Sequence, residues 1–166
     1  MSSPMFLQIA GITGESTDAE HRDEIDVLSW SWGATNSGGG RFGGGGGVGG
    51  AGAGKVQLQD FHFTHHVDAA SAGLLLACAT GRHSPDAVFA ARRSGESPTQ
   101  YLVVRFTDVT VTSVSGAGAV EEDAALESVS FVYSAVSFEY SRQLPDGSLA
   151  PTSLFQWDVK ANREGF

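Results

Sequence analysis

The chain has 166 residues, 41% of them hydrophobic, and a net charge of −9 from Lys+Arg 10 against Asp+Glu 19. That length and apolar content suit one domain, residues 1–166, with a real core, and the acidic balance excludes the basic footprint that nucleic-acid binding needs. A single cysteine, Cys78, excludes an intrachain disulfide and a Cys-based structural zinc site.

The elements read in chain order are mostly strands. Met5-Phe-Leu-Gln-Ile-Ala10 opens the chain as a short strand, and Glu24 to Trp32 places Leu28, Trp30 and Trp32 on one face at period two. No basic leader or long apolar run precedes them, so no cleaved signal peptide is expected, and no stretch approaches the roughly 20 apolar residues of a membrane span. Residues 38–54 follow, glycine-dominated. Glycine has no side chain to bury and loses the most backbone freedom on ordering, about 1–2 kcal/mol per residue fixed. Over the whole stretch this costs on the order of 15–30 kcal/mol, more than a single subunit's typical stability of roughly 5–15 kcal/mol offsets. The stretch reads as a tether, or as an arm that orders on a partner.

Lys55 to Thr64 alternates again, with Val56 and Leu58 followed by Phe61 and Phe63. One helix is predicted over about 68–80, with Asp68 as N-cap, an Ala- and Leu-rich body and Gly81 as left-handed C-cap. Pro85 lets the chain leave the helix for a strand near Ala87 to Arg92. Two strands, Tyr101 to Phe106 and Val109 to Val114, are predicted around Thr107-Asp108, then Leu126 to Ser134, Val136 to Ser141 and Leu154 to Lys160. Frequent Gly, Ser, Asp and Pro punctuation predicts a mainly β fold: a closed antiparallel barrel of about eight or nine strands with one flanking helix.

Gly49 to Lys55 has the glycine and lysine spacing of a phosphate-binding loop. Val56 stands where Ser or Thr must hold magnesium, and a strand pattern follows where a helix is required, so nucleotide binding is not the reading. His62, His65 and His66 gather three imidazoles, but no cysteine is nearby and Asp68 is taken by its capping role, so they read as polar edge residues rather than metal ligands. Cys78 lies among apolar helix residues and has no base to activate it, which makes it an inert thiol. Glu121, Glu122 and Asp123 read as a solvated hairpin tip. No nucleophile elbow or acid and base pair is present, so no enzymatic activity, cofactor or metal is expected.

Several segments together resemble the haemolysin-coregulated protein (Hcp) family of type VI secretion systems. They are Phe6 to Ser16, Glu24 to Gly33, Gly54 to Thr64, Asp68 to His83, Glu127 to Phe131, Phe138 to Tyr140 and Gly147 to Lys160, in family order across nearly the whole chain. The resemblance implies a tight β-barrel flanked by a helix, assembled in the cytoplasm into a homohexameric ring. Rings stack into a hollow tube that meets spike, sheath and effector proteins and is then secreted. An alternative role is a carrier or chaperone ring that holds effector cargo in its channel. Membrane insertion is not implied. Some members of the family carry an effector domain after the barrel; with the last predicted strand a few residues before Phe166, none is expected here.

The glycine-rich stretch departs from the family's usual shorter loop. Gly38, Gly39, Gly40, Arg41 and Phe42, with Gly43, Gly44, Gly45, Gly46 and Val48, are therefore the candidates for inter-ring contact, Arg41 and Phe42 serving as anchors. Ring closure needs two different patches on each subunit. Asp68, Ser71 and Leu74 are candidates for one, and Glu127, Ser128 and Ser130 for the other.

Overall fold

The computed structural model describes residues 3–36, 55–95 and 99–165. Within them lie β1 (Met5–Ile9), β2 (Ile25–Asp26), β3 (Ser29–Ser31), β4 (Ala34–Asn36), β5 (Val56–Leu58), β6 (Phe61–His66), α1 (Ser71–Thr80), β7 (His83–Arg93), β8 (Thr99–Ala117), β9 (Leu126–Val132), β10 (Ala135–Tyr140), β11 (Ser153–Asp158) and β12 (Arg163–Glu164). Every pairing is antiparallel.

One sheet path runs β12-β11-β10-β8-β7-β1-β2, and from β8 a second runs through β9 and β6 to β3. β8 belongs to both. Its first half faces β10, with Thr107 opposite Ala135, and its second half faces β9, with Thr110 opposite Val132. Phe61, Phe63, Phe89, Phe106 and Phe131 are each at most 1% exposed and form the centre of the core. Phe61 to Phe106 and Phe106 to Phe131 are both 5.0 Å between centroids, the second pair edge-on, which suits the ring quadrupoles.

The expected closed barrel is not what forms. The ladder path ends at β12 on one side and β2 on the other, and β4 and β5 form a two-stranded sheet of their own, so the architecture is open and sandwich-like. The predicted strand over Glu24 to Trp32 explains much of the difference, because it breaks into β2 and β3. Val27 N donates to Met5 O while Leu28 N donates to Thr64 O, so the chain leaves one layer and joins the other between these two residues. The two layers are joined there by covalent crossing and not by a shared ladder.

Three further expectations change. Thr107-Asp108 does not separate two strands: β8 is 19 residues long, and Asp108 is accommodated inside it at φ 56. Pro85 lies within β7, at the point where the ladder steps from Ser84–Val109 to Asp86–Thr107 and no N–H is required. The helix starts at Ser71, with Ala70 at its N-cap and no side-chain cap. Asp68 instead closes the preceding turn, its Oδ1 accepting from Ala70 N at 2.8 Å. Gly81 does adopt the left-handed C-cap, at φ 66.

Candidate functional site

On α1, Ser71, Leu74 and Ala77 face the core. The outer side keeps Leu75 and Leu76 in solvent at 52% and 54% exposure, and no residue of the helix is charged. A helix with apolar residues on both sides normally lies between two packed surfaces, and here one of them is open. The second open apolar region is on β11. Leu154 is 55% exposed and Phe155 38%, and these neighbours project to opposite faces of the strand. The edge of β11 that faces away from β10 is covered by β12 only at Trp157 and Asp158, which leaves the start of that edge without a ladder among the described residues. Trp32 bridges this region to the interior, with its ring 6.4 Å from Phe155.

Trp32 is fixed by a short relay. Its Nε1–H donates to the Tyr133 hydroxyl at 2.5 Å, and that hydroxyl donates to Gln59 O at 2.7 Å. Burial pushes the Tyr133 phenol up to about 12. The relay joins the ends of β3, β5 and β9. On the far side of the β9–β10 bend, Asp108 receives hydrogen bonds from His83 at 2.9 Å and Lys160 at 3.3 Å, which hold its carboxyl below the usual carboxylate range.

The intra-ring candidates divide by burial. Leu74, Ser71 and Glu127 point inward at 0%, 7% and 4% exposure and have almost no surface to offer a neighbour. Asp68, Ser128 and Ser130 are half-buried, and Ser130 Oγ is already bonded to His62 at 3.0 Å. The exposed leucines of α1, one and two positions along from Leu74, were missed because the helix shows almost no apolar periodicity to separate inside from outside. The inter-ring candidates Gly38 to Val48 lie outside the described residues. The bases of their stretch do not: Asn36 is paired with Val56, so the chain leaves and returns at one two-stranded ladder.

The histidines also differ from expectation. His66 is exposed and His62 half-buried, but His65 is fully buried, in line with Phe61 and Phe63 on the inner face of β6. Its Nε2 is 2.8 Å from Glu127 Oε1 and its Nδ1 is 3.6 Å from Asp68 Oδ2. Among the described residues no three His, Cys, Asp or Glu side chains are placed to share a metal ion. Val56, the residue after the lysine of the phosphate-loop-like run, opens a strand. No helix among the described residues is long and apolar enough to cross a membrane.

Among the described residues the chain is a two-layered β-protein with one helix and two exposed apolar regions, one on α1 and one on β11. The family model described as "Type VI secretion system effector, Hcp" matches residues 6–140. Protein hcp1 of Pseudomonas aeruginosa is 39% identical over 164 residues, 98% of each chain. The crystal structure of Hcp1 from Salmonella typhimurium superposes with a TM-score of 0.77 at 34% identity, covering 99% of both chains. A structure titled a type six secretion system protein superposes at 0.90 with 26% identity, covering 99% of this chain and 100% of the other. The chain belongs to the Hcp family of type VI secretion proteins.

Proposed function

We propose that this chain is the tube subunit of a type VI secretion apparatus, forming hexameric rings that stack into a hollow tube and leave the cell with or around effector proteins. One observation carries the reading: a single subunit has two unlike apolar regions, Leu75 and Leu76 on α1 and, on the two sides of β11, Leu154 and Phe155. A ring closed by rotation needs two different complementary surfaces per subunit, whereas a two-fold dimer needs one that matches itself. Apolar area removed from water contributes about 25 cal/mol per Å², so such faces favour association once a matching face is near. Assembly belongs in the cytoplasm on this reading, spike and sheath proteins are the further partners, and no enzymatic step is involved.

Mixing two broken subunits tests the contact. Leu76→Asp and Leu154→Asp should each remain folded but sediment as monomers. Mixed together they should form a dimer and go no further, because each retains the face the other lacks. Rings formed by either variant alone, or a wild-type chain monomeric at high concentration, would sink the proposal.

We assign the Gly38 to Val48 candidates to contacts between rings. The β4–β5 ladder supports this by holding both ends of the stretch together outside the main sheet. Deleting residues 39–52 should leave rings intact and shorten tubes in electron micrographs; tubes of normal length would count against it.

A further inference from the structure

His65 faces a carboxylate from each of its two nitrogens, and the described residues packed around it supply no other charge. Glu127 approaches from β9 and Asp68 from the turn before α1. α1 has no charged residue, and β8 carries none from Val109 to Ala117. His62 and His66 alternate to the opposite side of β6, and Glu121, Glu122 and Asp123 are exposed in the β8–β9 turn. The imidazole itself is 0% exposed, with the Phe63 ring centroid at 5.5 Å.

A neutral imidazole has one N–H to donate and one lone pair. If that N–H sits on Nε2, toward Glu127, the lone pair on Nδ1 confronts the Asp68 carboxylate from a ring that is itself closed off from solvent. If the N–H sits on Nδ1, the lone pair confronts Glu127 at 2.8 Å, which is worse. Nδ1 is also a fully buried nitrogen without a hydrogen-bond partner, a costly state for a polar atom. A second proton removes both conflicts.

We propose that His65 holds a proton on both nitrogens in the folded chain, and that this buried imidazolium latches the turn preceding α1 onto β6 and β9. Asp68 connects the parts: its Oδ2 faces the ring while its Oδ1 accepts from Ala70 N at the helix start. When the ring loses its second proton as pH rises, Asp68 loses its counter-charge and the first turn of α1 loosens. The helix bearing Leu75 and Leu76 is therefore held by a proton, whether or not those leucines dock on a neighbour.

Nitrogen-15 NMR of the full chain with labelled histidine tests this directly. At neutral pH the assigned His65 ring should read as protonated at both nitrogens. In Asp68→Asn it should read as neutral, because the amide can still accept from Ala70 N and can also donate to Nδ1. As wild type is titrated upward, the amides of residues 70–72 should exchange about tenfold faster than the change in intrinsic rate explains, at the pH where the ring deprotonates. Asp68→Asn should show no such step. A wild-type ring with one bare nitrogen at neutral pH overturns the proposal, as does unchanged protection when the ring deprotonates. If Asp68→Asn fails to fold, the wild-type titration decides alone.

Discussion

Phe131 on β9 and Phe155 on β11 are the same side chain in the same kind of strand, yet one is fully buried and the other 38% exposed. The difference lies in what flanks them. β9 has ladders on both sides, to β6 and β8, and its Phe131 meets Phe61 and Phe106 at 5.2 and 5.0 Å. β11 has a full ladder only to β10, and the Phe155 ring meets Trp32 and Trp157 at 6.4 Å each while part of it stays in solvent. Apolar content alone therefore does not locate a core. The subunit's interior is where strands and opposite layer are both present, and the β11 end has the residues of an interior without the second surface.

Substitutions sharpen this contrast. Phe131→Ala should destabilise the folded chain by about 3–5 kcal/mol, read from the denaturant midpoint, because it empties the centre of a packed aromatic cluster. A loss below about 1 kcal/mol would mean that the centre is not where the burial places it. Tyr133→Phe, between the two regions, should cost about 1–2 kcal/mol, since Gln59 O loses its donor and Trp32 Nε1 its acceptor. The same phenol sets an alkaline limit. Its folded value of about 12 exceeds its ordinary value of 10.0, so the folded chain keeps the proton longer than the unfolded one. Stability is unaffected below about pH 10 and falls as pH rises from there toward 12, a slope that Tyr133→Phe should flatten. Leu154→Asp, the weakest of the three, should change the stability of the isolated subunit by no more than about 0.5 kcal/mol, its effect being confined to association.

Part of the framework was legible from period-two placement, as for β6, where Phe61 and Phe63 mark the inner face, while β1, β9 and β10 were placed as strands without their inner faces being read. The same alternation placed His65 inward, but its polarity outweighed its position, and its partner Glu127 is 62 residues away and invisible locally. Thr107-Asp108 read as a turn because Asp favours turns. Tertiary pairing on both sides of β8 instead holds Asp108 at a positive φ inside a continuous strand. The closed barrel failed because ladder closure depends on strand neighbours and bends such as the one between Val27 and Leu28, which alternation does not encode. Asp68 was read as the helix N-cap, but Ala70 holds that place; the Asp68 bond goes to Ala70 N in the turn before the helix, and its other oxygen is directed to His65.

Thr99–Ala117 serves both layers as one unbroken backbone, and it exchanges one neighbour for the other around Asp108. Shearing one layer across the other would thus require breaking ladder hydrogen bonds along this strand or bending its backbone near Asp108, as well as parting side chains. Axial stress entering through β7 reaches β9 along that single strand, with little slack in a close-packed interior. Under mechanical force the body should behave as a stiff brick, and the compliance of any larger structure made from it should reside in the mortar.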